Sequence, residues 1–241
     1  MKKIKISFVV HAYNEERELP KTLKRLRKII KSSKYPVEVI GVDENSSDNS
    51  LKILRRFTDR VYALKDKRPS FGRSRHFGCA KAKGEIIVSL DPDTYLPMNT
   101  IEKLVETFED RDVVAAGAHV YVYPWLETLT DRFWHHFQNF TYEFQCFIKQ
   151  HSLKGEFQAF HASAYKKIGG YNPKLSHCED MDIVRRIAKL GKVVFIKNFK
   201  VFESPARYRK YGYLRTYIYW NLNAIRYRLN LPLEEYKRVS H

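Results

Sequence analysis

The sequence predicts an α/β protein in which a mostly parallel central sheet is flanked by helices. Three observations carry that prediction. Short apolar, β-branched runs alternate with amphipathic helical stretches through the first half of the chain, the pattern of parallel strands joined by crossover helices. Three of those runs end abruptly in polar and acidic residues, at 11–15, 43–44 and 91–93. Composition is globular, with 44% hydrophobic and 29% charged residues over 241, which excludes a wholly disordered chain and allows one large domain.

Taken in order, residues 5–10 make the first strand and lead into His11-Ala12-Tyr13-Asn14-Glu15-Glu16. Asn14 is a candidate helix cap, and Glu15 and Glu16 suit a first helical turn. Leu19, Leu23, Leu26 and Ile30 at helical spacing predict a helix that stops before Tyr35-Pro36. Residues 37–42 form a second strand running into Asp43 and Glu44. Asn45-Ser46-Ser47-Asp48 then turns the chain into a helix carrying Leu51, Ile53, Leu54 and Phe57. Residues 61–64 are a third strand, and 71–83 a helix of small residues closed by Gly84. Ile86-Ile87-Val88 reads as a buried strand, followed by a helix over 99–108 and a fifth strand over 113–118.

The buried strand organises the rest, because it ends in Asp91-Pro92-Asp93. Pro92 fixes its own φ and biases Asp91 toward an extended conformation, which presents both carboxylates at the strand's mouth. Two hard oxygen ligands suit Mg²⁺ or Mn²⁺; the plainer alternative is an Asp-Pro turn that only ends a strand. Right-handed crossovers bring the three loaded strand exits to one edge of the sheet, where ligands bind in such folds. The carboxylates of Glu15, Asp43, Glu44, Asp91 and Asp93 would repel one another there unless a cation or a ligand rich in hydrogen-bond donors sat among them. No G-x-G-x-x-G or G-x-x-x-x-G-K-[ST] loop is present, which disfavours dinucleotide and P-loop chemistry.

A formal net charge of +17 predicts an anionic partner: a phosphorylated substrate, nucleic acid or an acidic membrane surface. The three cysteines, Cys79, Cys146 and Cys178, are widely spaced and give neither a disulfide framework nor a zinc site, so a reducing, cytoplasmic setting is expected. The N-terminal charge and short apolar run read as the first strand rather than a secretory signal. No apolar window reaches the ~18 residues of a spanning helix, so the chain is not expected to cross a membrane.

The second half is aromatic. Phe133, Phe137, Phe140 and Phe144 fall at three- and four-residue steps on one stripe of a helix, for which core packing is the commoner reading and an apolar ledge the rival. His135 and His136 lack metal-ligand spacing and are expected on a polar face. Residues 158–161 read as a strand, 163–168 as a short helix and 193–196 as a last strand. His177-Cys178-Glu179-Asp180-Met181-Asp182 opens a helix, where acids also simply complement the macrodipole. In the tail, Leu214, Ile218, Leu222, Ile225 and Leu229 form an apolar stripe beside Arg215, Tyr219 and Arg226. That pattern describes either an interfacial helix or one packed back on the domain.

These motifs, in this order, resemble the family 2 glycosyltransferases, inverting enzymes of the Rossmann-like glycosyltransferase-A fold that use nucleotide-diphospho-sugars. His11-Ala12-Tyr13-Asn14-Glu15 is similar to the family's Pro-x-Tyr-Asn-Glu, and Val42-Asp43-Glu44-Asn45-Ser46-Ser47-Asp48 to its Val-Asp-Asp-Gly-Ser-x-Asp. Ser74-Arg75-His76-Phe77-Gly78 resembles the Ala-Arg-Asn-x-Gly helix, and Asp91-Pro92-Asp93 the Asp-x-Asp metal motif. Ile168-Gly169-Gly170-Tyr171 and Glu179-Asp180-Met181-Asp182 are similar to the Gly-Gly-Phe and Glu-Asp-x-Asp segments. The resemblance implies a nucleotide-sugar half over 1–118, an acceptor half of the same domain over 119–200, and a basic aromatic tail over 201–241.

It also implies roles. Ala12, Tyr13, Glu15, Asp43 and Glu44 would line the nucleotide pocket, and Arg75, with Arg73 or Lys67, would hold the diphosphate. Asp91 would lie near ribose and metal, and Asp93 would ligate Mg²⁺ or Mn²⁺. Asp180 would be the general base, with Glu179 and Asp182 positioning acceptor or sugar. The implied partners are a UDP- or GDP-sugar, a lipid-linked or glycan acceptor and an anionic membrane surface that the protein joins peripherally. Glu44 in place of aspartate leaves the base preference open, and Glu203 stands where the fold often carries a further metal-region ligand. The competing readings are a sugar-nucleotide nucleotidyltransferase, which needs a glycine-rich phosphate loop, and a nucleic-acid-binding protein, which needs bases rather than acids at the strand exits.

Overall fold

A computed structural model describes residues 4–65 and 70–233, which hold one seven-stranded sheet and nine helices. Lys67 lies outside the described residues, as does the end of the tail from 234. The first half runs β1 (Ile6–Ala12), α1 (Leu19–Ser32), β2 (Val37–Asp43), α2 (Ser50–Phe57), β3 (Arg60–Ala63), α3 (Phe71–Ala80), β4 (Ile86–Leu90) and α4 (Thr100–Thr107). The second half adds β5 (Val113–Val122), α5 (Leu129–Phe147), β6 (Phe157–His161), α6 (Ala162–Lys167), α7 (Glu179–Ile187) and β7 (Lys192–Glu203). Then come α8 (Ala206–Tyr211) and α9 (Tyr213–Arg228). β5 and β7 outrun the short strands expected from sequence.

Strand order is β3-β2-β1-β4-β6-β5-β7, and β6 alone runs antiparallel to its neighbours β4 and β5. β1 pairs in parallel with both β2 and β4, with Ala12 opposite Asp43 and Val10 opposite Leu90. After β1 the chain winds first toward β2 and β3, then returns to place β4 on the other side. The carboxyl ends of β1 and β4 therefore form the switch point at which such sheets open a ligand crevice.

Side-chain alternation along the strands feeds two cores. Ile6, Phe8, Val10 and Ala12 face the layer of α1, α2 and α4, against Leu23, Leu26, Leu54 and Leu104. Val9, Ile40, Val42 and Ile87 face the layer of α3, α6 and α7, against Cys79, Tyr165, Ile183 and Ile187. α3 lies unusually close to the sheet because Gly78 has no side chain: a Cβ there would stand 2.4 Å from Val9 Cγ1. A Cβ on Gly72 would stand 2.4 Å from the carbonyl oxygens of Asn172 and Leu175, so the same helix also abuts the loop before α7. Arg75 is carried between those two contacts.

Asn14 does not cap α1; Glu18 stands at that position. Asn14 adopts a left-handed conformation, φ 56°, and its Oδ1 accepts from the Ser47 amide at 2.8 Å. In return its own amide donates to Ser46 Oγ, Glu15 N donates to Ser50 Oγ, and Glu16 Oε2 accepts from Asn49 N. The polar residues after β1 and β2 thus stitch the two strand-end loops together. That accounts for much of both motifs without a ligand.

Candidate active site

The three loaded strand exits do converge. Ala12 closes β1 and accepts from the Glu44 amide through its carbonyl, holding the β1 and β2 loops level. Tyr13 follows it at the edge of the crevice, half-buried. Asp43 is buried at the end of β2; one carboxylate oxygen accepts from the Ser46 amide, and Oδ1 has no partner. Glu44 is buried and accepts from Ser70 N at 2.8 Å, tying its carboxylate to the residue before α3. Glu15 is buried beside the Asp-Pro-Asp turn and carries an unpartnered Oε2. Burial, then the charge of Asp93, pushes its carboxyl up to about 9.

Asp91 and Asp93 leave β4 into the crevice. The Asp91 amide donates to Glu156 O at 3.1 Å, which fixes the turn against the start of β6. Asp91 Oδ1 accepts from Arg75 Nη2 at 2.7 Å and lies 3.3 Å from His11 Nε2. Burial still pushes the Asp91 carboxyl up to about 7, despite the guanidinium. Asp93 is raised to about 6 by burial, with Arg207 opposing and Glu156 reinforcing the shift. Tyr123 donates its hydroxyl to the Asp93 carbonyl.

Arg75 is the hub between the halves. Its Nη1 donates to Gly155 O at 2.8 Å and to Ser89 Oγ, Nη2 to Asp91, and Nε lies 3.2 Å from Glu179 Oε1. The resemblance implied a diphosphate as the partner of Arg75; in this structure the buried guanidinium is engaged by protein acceptors. Glu179 and Asp180 open α7 from Cys178, held at φ 61°, a strained conformation for a residue with a side chain. Burial raises the Glu179 carboxyl to about 8 and also raises that of Asp180. Asp180 Oδ1 accepts from the Met181 amide, and Oδ2 would stand 3.3 Å from a Cβ on Gly155. Asp182, which the resemblance implied would position acceptor or sugar, has partners of its own. Its carboxylate is bound by Arg186 Nε at 2.9 Å and by the Tyr227 hydroxyl at 2.6 Å, which ties α7 to α9 and keeps it out of the cleft.

The cleft has a volume of about 200 Å³ and holds Arg75, Asp91, Glu156, Glu179 and Asp180 in one wall. α5 and α9 form the other, through Tyr142, Gln138, Tyr217, Trp220 and Ile225. Sequence reasoning missed Glu156, Lys154 and Arg207. Glu156 is buried with an unpartnered Oε2 and raises its carboxylate neighbours Asp91, Asp93, Asp180 and Glu203. Lys154 is a buried amine lowered by burial, 3.0 Å from Gln138 Oε1 and facing Glu203 and Glu156. Arg207 faces Asp91, Asp93 and Glu15 and lowers all three. The cue for Glu156 was a lone acid just before an apolar strand, and for Arg207 a basic residue after Ser204-Pro205.

A divalent cation fits this donor set. Asp91, Asp93 and Glu156 are hard oxygen donors that repel one another, Asp93 and Glu156 buried and Asp91 half-buried, and one Glu156 oxygen has no protein partner. Among the described residues no group of three or more His, Cys, Asp or Glu is placed to hold a metal ion by itself. Mg²⁺ or Mn²⁺ needs none when phosphate and water complete the shell. Glu203 sits deeper, accepting from the Tyr208 hydroxyl at 3.2 Å, its carboxyl raised well above the usual range by burial.

This sheet order and acid-lined switch point define a glycosyltransferase-A fold. Residues 7–169 match Glycosyl transferase family 2, and the chain belongs to that family. Over 117 residues it is 37% identical to the undecaprenyl-phosphate 4-deoxy-4-formamido-L-arabinose transferase of Proteus mirabilis, covering 46% of this chain and 36% of that one. The matched part thus spans about a third of that curated relative. A mannosyltransferase from Pyrobaculum calidifontis, solved with GDP-Man and Mn²⁺, superposes with a TM-score of 0.65 over 85% of this chain and 58% of its own, at 18% identity. The S. aureus TarS fragment 1–349 gives 0.64 over 96% of this chain and 67% of its own, also at 18% identity. These superpositions show the fold.

Proposed function

We propose that this protein is a metal-dependent inverting glycosyltransferase that moves a sugar from a nucleotide-diphospho-sugar to an amphiphilic acceptor. The observation that carries the reading is that Asp91, Glu156 and Asp180 line a single cleft around Arg75, with Asp93 on the same turn as Asp91 and in electrostatic contact with Glu156. Tyr13 and Asp43 bound the nucleotide end, where the unpartnered Asp43 Oδ1 accepts from base or ribose. Arg207 replaces Arg75 as the charge for the diphosphate, since it faces the aspartates from α8. Asp91 and Asp93, with Glu156 beside them, would hold the cation, which when bound would supply charge neutralisation for the departing nucleotide.

Asp180 takes the proton of the acceptor hydroxyl as its oxygen attacks the anomeric carbon from the face opposite the diphosphate. The C–O bond to the acceptor forms as that to the β-phosphate breaks, and the configuration inverts. Burial raises the Asp180 carboxyl, which makes it a stronger proton acceptor than an ordinary carboxylate. The loop after β1, stitched to its neighbour and without glycine-rich phosphate geometry, argues against a nucleotidyltransferase.

A second reading concerns the acceptor atom. The Proteus mirabilis relative is named for an undecaprenyl-phosphate, and this cleft carries Lys154, Arg207 and Arg228 beside its acids. A phosphate acceptor is already ionised and needs no base. Calorimetry with UDP and GDP, with and without Mn²⁺, tests the donor side: one nucleotide should bind only with metal, and Asp93→Ala should abolish it. No binding of either nucleotide in any condition rejects the reading. Asp180→Asn should keep that binding while slowing transfer to hydroxyl acceptors by about 10²–10⁴; transfer to a lipid phosphate that survives it assigns the phosphate as nucleophile.

A further inference from the structure

α5 and α9 are built inside out. The face α5 turns to the protein is polar: Asp131, His135, Gln138 and Asn139 are buried, and Asn139 exchanges two hydrogen bonds with the Val120 backbone. Its outward face carries Phe133, Phe137, Phe140 and Phe144, between 39% and 65% exposed. α9 repeats the inversion, burying Thr216 and Asn223 while Leu214, Ile218, Leu222 and Ile225 stand 47% to 59% exposed. The two ridges adjoin: Trp134 stacks on Tyr213 at 5.8 Å, and Phe137 meets Tyr217 at 5.5 Å. A water-facing helix with its apolar stripe outward loses the burial that normally stabilises it, so an apolar patch of this kind marks a docking surface.

We infer that the joined α5–α9 ridge docks on an anionic lipid bilayer and holds the cleft mouth against it. Charge selects that occupant. Between Ala206 and Arg228 the chain has six basic residues and no acid, so a second copy would bring like charges together, whereas anionic headgroups neutralise them. Continuity with the cleft fixes the orientation, because Ile225 belongs both to the exposed ridge and to the cleft wall. An amphiphilic acceptor would then reach Asp180 sideways from the bilayer without crossing water. No described helix is long and apolar enough to cross a membrane, so the contact is peripheral. The acceptor's route rests on the transferase reading; the docking does not.

The test is sedimentation of the full chain with phosphatidylcholine vesicles, with and without phosphatidylglycerol. Mixed vesicles should bind, neutral ones far more weakly, and added salt should release the protein several-fold. Phe140→Ser with Phe144→Ser, and separately Ile218→Ser with Leu222→Ser, should each lower the vesicle partition roughly tenfold or more. Lys210→Gln with Arg215→Gln should remove the preference for phosphatidylglycerol. Circular dichroism and Mn²⁺-nucleotide binding serve as fold controls and should not change. Vesicle binding indifferent to both apolar pairs overturns the inference, as does a concentration-dependent dimer that the same substitutions abolish with no vesicle binding. Loss of nucleotide binding with vesicle binding intact would instead strike the transferase reading alone.

Discussion

Arg75 shows how one side chain joins two halves of a site. It has almost no contact with solvent, yet it is surrounded by Asp91, Glu179, Ser89 Oγ and the Gly155 carbonyl. Two carboxylates pushed upward by burial share its charge, so the cluster holds only while the guanidinium stands between them. Arg75→Ala leaves Asp91 and Glu179 facing each other in a buried space. Loss of one partner of a buried pair costs about 3–5 kcal/mol, and urea denaturation of the variant should show a fall of that size. Arg75→Lys keeps a charge but loses the forked geometry, so it should rescue only part of the stability. A free-energy change below about 1 kcal/mol in the alanine variant would mean that solvent or a shifted neighbour already neutralises the acids. The Arg-x-x-Gly spacing pointed to this residue, but a diphosphate was the expected partner; the Glu179 contact comes from a helix 104 residues further along the chain that local spacing does not foretell.

At the scale of the element, α3 sets where Arg75 stands. Gly78 allows the helix to touch β1 and β2, with Val9 Cγ1 at 2.4 Å and Val42 Cγ2 at 2.7 Å from where a Cβ would be. Gly78→Ala should lift the helix off the sheet at a cost of about 1–3 kcal/mol, the range for overpacked cores, and weaken Mn²⁺-dependent nucleotide binding by moving Arg75 away from Asp91. Denaturation and calorimetry on the one variant check both; normal stability and binding would show that the sheet yields instead. The order of strands and helices through β5 was legible in sequence because period and punctuation agreed there, as in the run from Gly84 through Asp93. Helix α5 was not. Its phenylalanine stripe has the period of a core helix, but the opposite face is the buried one, fastened by Asn139, His135 and the Thr128–Asp131 capping box. Periodicity gives the stripe and not its direction. His135 went the same way: it is buried edge-on to Tyr208, and burial lowers its imidazole to about 3, while His136 is exposed as expected. Glu156 and Arg207 gave only weak cues and Lys154 none, because each is a single residue in a segment without a repeat.

Across the whole molecule, a chain of net charge +17 concentrates acids at one edge of its sheet. That separation has a thermodynamic consequence. Burial raises Asp93 to about 6, Asp91 to about 7, Glu179 to about 8 and Glu15 to about 9, each above its ordinary carboxylate value. The native state therefore holds protons that the unfolded chain has already released, and stability must fall as pH rises through these values. His135, lowered by burial, acts in the opposite sense only below its ordinary imidazole range. Lys154, also lowered, opposes the trend at the alkaline end but is one group against several. Urea midpoints of the metal-free protein should thus decline from about pH 6.5 to about pH 8.5. Mn²⁺ with the matching nucleoside diphosphate binds the ionised carboxylates, so its stabilisation should grow over the same interval and flatten or reverse the decline. Asp93→Asn removes one of the titrating groups and the cation's grip together: its metal-free profile should be shallower, and Mn²⁺ should no longer lift it. A metal-free midpoint that rises with pH across this interval would mean that the edge acids are already neutralised by neighbouring bases, and that the cleft does not demand a cation.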